Sequence, residues 1–441
     1  MGERGLEIAV VGGGAAGFFG AIAAATHNPR ARVTLYEAGP TPLAKVRISG
    51  GGRCNVTHHC FDPAQLIQSY PRGGKELRGA FSRFQPKDTV AWFTQRGVTL
   101  KTESDGRMFP VTDDSATIVE CLYRAAAQAG VQIKVRSPVV SAEKIGAKKI
   151  GAKKIDAEKV DAEKVDAEKE DNRFKLKLKS DFVTCDRLLL TTGSSPTGHR
   201  IAQALGHRLE PPVPSLFTFN IADKRLHQLS GVAVTPATVR LKIEGASKKD
   251  LKALTQTGPL LITHWGLSGP AVLKLSAWGA RLLHQHKYRA SLIVNWLPAI
   301  GQEQVRQALQ QAKVKSGKKA VSTYSPYDPI SKRLWQYLLG RAEIEPTLTW
   351  ANLPKQSLNQ LVQELTQGVF NITGKGVFKD EFVTCGGIRL KEVNFQTMES
   401  RQCSGLYLSG EVLNIDGITG GFNFQSAWTT GWLAGCAIAA S

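Results

Sequence analysis

The run Gly12-Gly13-Gly14-Ala15-Ala16-Gly17 constrains this chain more than any other segment. It follows a short β-branched run, Ile8–Val11, and opens a helical pattern over Phe18–Thr26, after which Arg32–Tyr36 alternates as a second strand. In such a unit Gly12 permits the tight turn, Gly14 lets a pyrophosphate approach the backbone, and Gly17 lets helix and strand pack closely. The free N–H groups at the helix start, around Ala15 and Ala16, would hold the anion. Glu37 ends the second strand twenty residues after Gly17, where a carboxylate hydrogen-bonds a ribose 2′-hydroxyl. An acid there favours an unphosphorylated ribose, as in FAD or NAD, over NADP. The unit predicts a dinucleotide-binding α/β domain.

Residues 7–25 are apolar enough to imitate a signal peptide or a membrane span. An acidic flank, five glycines, and the polar loop and strand that follow argue against both. No other run approaches the ~20 apolar residues a membrane helix requires, so a soluble, cytoplasmic protein without a membrane partner is expected. The 441 residues suit two or three domains, and 42% hydrophobic with 21% charged residues excludes wholesale disorder. The seven cysteines are scattered and form no C-x-x-C, which speaks against a disulfide framework or zinc ribbon and suits a reducing compartment. Cys54, His58, His59 and Cys60 stand close together, but no complementary pair occurs elsewhere, so no metal is expected.

Further along, helical patterns cover about 74–97 and 115–129, and a strand covers 131–136. Residues 144–168 repeat a pentapeptide (KIGAK, KIDAE, KVDAE) whose period matches neither helix nor strand. Flanked by strand-like segments, it reads as a solvated loop at the tip of a β-meander. After the turn TTGSSPTG, the proline-rich segment at 210–216 changes the composition, and alternating patterns then indicate an inserted β domain. Residues 302–312, 331–341 and 355–366 read as helices. From about 380 the strand-and-turn pattern of a nucleotide-binding domain returns, closing with an apolar helix over 425–440.

Two more glycine clusters carry chemistry. Ser49-Gly50-Gly51-Gly52-Arg53-Cys54-Asn55 cannot be explained by helix or strand packing, which glycine weakens. It reads as a rigid turn whose backbone presses on a flat ring, with Arg47 and Arg53 placed for phosphate or ring oxygens. Near the C-terminus a strand ends on Gly410-Glu411, and Asp416 through Gly420-Gly421-Phe422-Asn423 leads into the last helix. A helix start preceded by two glycines is a second anion-stabilising device.

Together, SGGGRCN, TTGSSPTG, THWGLSGPAVLKLS (263–276), CGGIRLKEVNFQTMES (385–400) and GLYLSGEVLNIDGITGGFNFQSAW (405–428) resemble the YhiN/BaiN-like, aminoacetone-oxidase-like family of flavoproteins. The resemblance covers nearly the whole chain except the repeat. It implies a glutathione-reductase-like FAD-binding Rossmann domain, interrupted by an inserted β-barrel domain and a small helical subdomain. The expected boundaries are 1–209 and 380–441 for the FAD domain (144–170 being the low-complexity loop), 210–300 for the barrel, 301–366 for the helices and 367–379 for the returning strand. FAD would be bound non-covalently, with NADH or NADPH as reductant and no second Rossmann domain. The FAD-lining set then also includes Ala38, Lys45, Ser49, Asn55, Val140, Thr192 and Gly193. Ala44-Lys45, Thr57-His58 and Thr192-Gly193-Ser194-Ser195 depart mildly from the family pattern.

Family members reduce activated double bonds in small molecules, oxidise amines, or reduce a uracil of large-subunit ribosomal RNA to dihydrouridine. Charge separates these classes. The chain carries 57 Lys+Arg against 37 Asp+Glu, a net +20. Residues 143–171 contribute −1, so the surplus lies elsewhere. Residues 45–101 hold ten basic and three acidic residues, and 301–341 hold eight and two. RNA phosphates call for such spread charge and small metabolites do not; a basic solvated surface is the bland alternative. Uracil reduction therefore ranks first. A small-molecule enone reductase or amine oxidase follows, and a non-catalytic RNA-binding flavoprotein is third. Uracil reduction needs a hydride at C6, a proton at C5 and a base flipped into a pocket. Cys54, Cys60, His58, His59, His264 and Cys385 are candidates for the acid, with Cys54 and His264 first because they stand inside family motifs. A monomer is expected.

Overall fold

The computed structural model describes residues 5–146, 173–244, 252–376 and 383–441, so nearly all of the pentapeptide repeat lies outside the described residues. The chain divides into two compact units. One comprises residues 1–212, 386–415 and 420–441, and the other residues 213–385 and 416–419.

The first unit is built on a seven-stranded sheet. Its order is Val393–Asn394, Glu399–Ser400, Leu406–Leu408, Arg187–Leu190, β1 (Glu7–Val11), β2 (Arg32–Tyr36) and Gln132–Lys134. The last five pair in parallel, and the first two turn back antiparallel at the edge. Ile8–Val11 is buried throughout, as a central parallel strand covered on both faces requires. Helix α1 (Ala15–His27) follows β1 and is buried from Ala16 to Ala25. It has no polar face because the C-terminal helix (Phe422–Ala439) packs along its other side. Glycine makes that approach possible. A Cβ on Gly435 would lie 2.3 Å from the Gly20 carbonyl oxygen, and one on Gly431 would lie 2.6 Å from that of Ala16.

Some sequence expectations shift at their edges. Helix α1 starts at Ala15 rather than Phe18, because Ala15 to Gly17 wind into its first turn. The helical pattern over 74–97 is two helices, Gly74–Phe81 and Pro86–Thr94. Pro86 lacks an N–H to continue the first and is pre-shaped to begin the second. The meander is present as Ser141–Lys144, Phe174–Lys177 and Phe182–Cys185.

The second unit is a closed antiparallel barrel of six strands, ordered Phe219–Ile221, Gly266–Ser268, Thr255–Thr263, Ala233–Lys242, Ala290–Asn295 and Gly368–Lys375. Helices Gln302–Lys315, Lys332–Arg341 and Lys355–Gln367 lie between the last two strands in sequence. Their apolar faces join the barrel core, where Trp296, Trp335, Trp350, Leu361 and Leu365 are buried. Among the described residues, no helix is long and apolar enough to cross a membrane.

Candidate functional site

The first unit collects most of the expected cofactor residues at the carboxyl ends of its parallel strands. Gly12 follows β1 with φ 112°, and a Cβ there would meet the Thr191 carbonyl oxygen at 2.5 Å. At Gly17 a Cβ would sit 2.0 Å from the Gly12 carbonyl oxygen. Both glycines are therefore fixed by the protein's own packing. Gly14 differs, since a Cβ there would meet nothing within 4 Å. It is also the N-cap of α1, with no capping side chain and no acid in the first turn. The first N–H groups of α1 thus face the open side of the turn, as an anion site requires.

Glu37 is tied to the same turn. Its Oε2 accepts from the Gly13 N–H (2.8 Å) and its Oε1 from the Gly39 N–H (2.7 Å). A carboxylate has about four lone-pair sites, so capacity for ribose hydroxyls persists while the side chain is held in place. Ala38, beside it, is exposed, and so is Val140.

The SGGGRCN loop is a left-handed turn. Gly50, Gly51 and Gly52 have φ of 59°, 70° and 85°, and Cys54 has 61°. Cβ atoms on Gly51 and Gly52 would meet nothing within 4 Å, whereas one on Gly50 would strike the Phe109 ring at 2.9 Å. One side of the turn is thus anchored and the other is bare backbone. Arg53 is the anchor. Its guanidinium lies 4.0 Å over the Phe109 ring and pairs with Glu103 at 2.6 Å. Its charge holds the loop through this pair. Arg47 and Lys45 are exposed on helix α2 (Ala44–Ile48), and Ser49 Oγ donates to the Val46 carbonyl.

This loop is tied to the start of the C-terminal helix. Asn55, with its amide turned so that both ends find partners, donates to the Thr57 carbonyl (3.0 Å) and accepts from the Gly421 N–H (2.9 Å). His58 Nδ1 donates to the Gly420 carbonyl (3.0 Å), and its ring stacks on Phe422 with centroids 4.6 Å apart. A Cβ on Gly421 would lie 2.5 Å from the Thr57 carbonyl oxygen. The helix begins after Gly421 with no capping side chain and no acid in its first turn, and Asn423 lies within that turn. Lys45 Nζ donates to Glu411 Oε2 at 2.7 Å, joining two cofactor candidates far apart in sequence. Gly410 packs on α1, with Ala16 Cβ 2.8 Å from where its own Cβ would be. Thr192 Oγ1 and His199 Nε2 are buried without a hydrogen-bond partner. Burial lowers the pKa of His199, against the opposing charge of Glu411.

These features fit FAD. Two uncapped helix starts, bare backbone at Gly14, Gly51 and Gly52, and the Glu37 carboxylate supply what a pyrophosphate, a ring and a ribose each need. The arrangement also includes residues outside the expected lining set. Thr191 Oγ1 donates between the carbonyls of Val11 (3.0 Å) and Gly12 (2.8 Å), and Phe109 and His199 carry no motif that would have revealed them.

The expected acids are scattered. Cys54 is fully buried, and burial pushes its thiol up to about 12, against a smaller pull from the Ser49 hydroxyl. A thiol so closed off stays protonated, touches no solvent and packs the loop. Cys385 is likewise buried. Asp416 belongs to the second unit, buried, with its Oδ2 accepting from Ser215 Oγ at 2.9 Å. His264 is exposed on the second unit, at the tip of a barrel hairpin. Among the described residues, no group of three or more His, Cys, Asp or Glu side chains could hold a metal.

A family model described as "HI0933-like protein Rossmann domain" matches residues 6–437. The chain is 30% identical over 445 residues to a "Ribosomal RNA dihydrouridine synthase" of Haemophilus influenzae, spanning 99% of this chain and 98% of that protein. A protein of the same description from Escherichia coli is 28% identical, over 96% of this chain and 95% of its own length. The "3-dehydro-bile acid delta(4,6)-reductase" of Clostridium scindens is also 28% identical, over 98% and 99%. Among solved structures, the 3-ketosteroid-Δ4-(5α)-dehydrogenase of Rhodococcus jostii matches with a TM-score of 0.50 at 14% identity, over 100% of this chain and 98% of its own. That likeness shows the fold alone.

Proposed function

The chain belongs to the HI0933-like family and is an FAD-binding flavoprotein oxidoreductase; from that premise we propose that it uses NADH or NADPH to reduce a uracil of large-subunit ribosomal RNA to dihydrouridine. The observation that carries the reading is the end-to-end likeness to two proteins named ribosomal RNA dihydrouridine synthases. The net charge of +20, which lies outside the acidic repeat, supports it. A cytoplasmic location goes with that reading.

Bound FAD would supply the hydride for C6 of the uracil. The protein's own groups do the rest. The first turn of α1 would hold the pyrophosphate, and Glu37, which braces the Gly13 backbone, would hold the ribose. Gly51 and Gly52 would leave room for the ring beside their backbone, and the start of the C-terminal helix would offer positive potential to it. With Cys54 enclosed, His264 is the proposed donor of the C5 proton.

A second reading, reduction of a small-molecule enone, is favoured by the full-length likeness to the bile acid reductase. One experiment separates the two. FAD-loaded protein is incubated with NADH or NADPH and a large-subunit ribosomal RNA transcript, and the digested RNA is weighed by mass spectrometry. Dihydrouridine, two mass units heavier than uridine, is expected. Unchanged RNA alongside rapid reduction of a steroid enone would refute the RNA reading.

A further inference from the structure

Trp265 is the one tryptophan of eight that is exposed, at 58%. A ring of that size normally finds cover. Nothing about its backbone is loose. His264 and Trp265 form the two-residue tip of a hairpin in which Thr263 pairs with Gly266. The Trp265 N–H donates to Thr263 Oγ1 (3.3 Å), and its carbonyl accepts from the Ile221 N–H (2.9 Å). Gly266 is wedged beneath, with a Cβ there only 2.3 Å from the Phe219 carbonyl oxygen. A fixed frame therefore presents a bare indole to solvent.

Cations follow the strand this tip is bonded to. Ile221 leads within three residues into the short helix Lys224–His227, whose Lys224 and Arg225 are exposed. That helix is fastened to Lys332–Arg341 by two contacts. Tyr337 Oη donates to Asp223 Oδ2 (2.8 Å), and Arg333 donates to the Gln228 carbonyl. Lys332 and Arg333, at the start of the longer helix, are exposed as well. The local acid, Asp223, already accepts from the N–H groups of Arg225 and Leu226 and from Tyr337.

We propose that the hairpin tip His264–Trp265 and the cations Lys224, Arg225, Lys332 and Arg333 form the surface on which the second unit binds single-stranded RNA, with Trp265 stacking on a base. A flat apolar ring carried on a hydrogen-bonded hairpin tip, with exposed positive charges on the elements bonded to it, is the combination that unpaired nucleotides recognise, the ring taking a base face and the cations the phosphates. The inference rests on the RNA reading above and assigns it a surface.

The test uses full-length, FAD-loaded protein and a fluorescein-labelled, uridine-rich RNA oligonucleotide, followed by anisotropy across a salt series. Trp265→Ala is expected to weaken binding roughly ten- to hundredfold, while Trp265→Phe keeps most of it. Replacing Lys224, Arg225, Lys332 and Arg333 with Ala should flatten the plot of log affinity against log salt by about 0.7 per lost phosphate contact. Flavin absorbance and melting temperature report that each variant is folded, and Trp265→Leu substitutes should the alanine variant melt early. Binding by Trp265→Ala and Trp265→Leu within twofold of the parent would overturn the proposal, even if the parent makes dihydrouridine. If the parent binds the RNA through these residues yet makes no dihydrouridine, the surface stands and the catalytic reading falls. If the parent does not bind RNA, both fall.

Discussion

Gly14→Ala separates what the fold needs from what the cofactor needs. Gly14 has φ −89° and ψ −169°, values open to alanine, and its added methyl would meet no protein atom within 4 Å. As an N-cap, alanine is worse than glycine by roughly 0.5–1 kcal/mol. Restriction of the unfolded chain returns about 0.4–1 kcal/mol. The apoprotein should therefore melt within about 3 °C of the parent. FAD is another matter. The methyl would occupy the space through which the pyrophosphate reaches the first N–H groups of α1. Losing two hydrogen bonds to a charged group costs about 3–6 kcal/mol, a drop in affinity on the order of 10²–10⁴-fold. Gly17→Ala should do the opposite damage. Its methyl would lie 2.0 Å from the Gly12 carbonyl oxygen and 2.8 Å from Thr191 Oγ1, so the apoprotein itself loses about 1–3 kcal/mol. Apoprotein melting followed by circular dichroism, and FAD titration followed by quenching of flavin fluorescence, read the two effects separately. If Gly14→Ala bound FAD as tightly as the parent, the pyrophosphate would not lie at this turn and the reasoning would be refuted.

Other expectations are equally concrete. Glu37→Gln keeps one acceptor for either Gly13 or Gly39 and presents a donor to the other, so FAD affinity should fall roughly ten- to hundredfold with the loss of a charge-assisted bond, read by the same titration. Cys54→Ala should cost about 1–2 kcal/mol in denaturant unfolding as a small buried void, yet leave product formation within a few-fold, and the parent thiol should resist alkylation at pH 8; a total loss of turnover in a folded, FAD-loaded variant would restore Cys54 as the acid. His199 and His207 have pKa values lowered by burial, so the unfolded chain binds protons that the native state refuses. Stability is then unaffected above the free-histidine value of about 6.5 and declines as pH falls below it; melts between pH 8 and 5 should show this, with a shallower slope in His199→Gln.

Much of the fold was legible because parallel sheets announce themselves. The apolar run Ile8–Val11, the glycines at 12, 14 and 17, and the acid at 37 each answer a local steric or electrostatic demand, and local demands are written in local sequence. The helices at 302–315, 332–341 and 355–367 were legible for the same reason, since each carries an amphipathic period. Tertiary contacts were not legible. The hold of Glu103 and Phe109 on Arg53 could not be read from the sequence. The complete burial of Cys54, a candidate acid by its motif, could not be read from the sequence either. The pairing of Asn55 with Gly421, and of Lys45 with Glu411, spans 366 residues in each case, a separation at which no pattern of spacing operates. Trp265 lay inside a recognised motif, but only the hairpin shows that its ring is left uncovered.

The most direct measurement is an anaerobic single turnover. Protein-bound FAD is reduced photochemically, without nicotinamide, and mixed with a large-subunit ribosomal RNA transcript while flavin absorbance is followed and dihydrouridine is counted by mass spectrometry. The account predicts that flavin colour returns as RNA is added, with one dihydrouridine formed for each flavin reoxidised. Flavin that stays bleached in the presence of RNA but recovers with a small enone would contradict it.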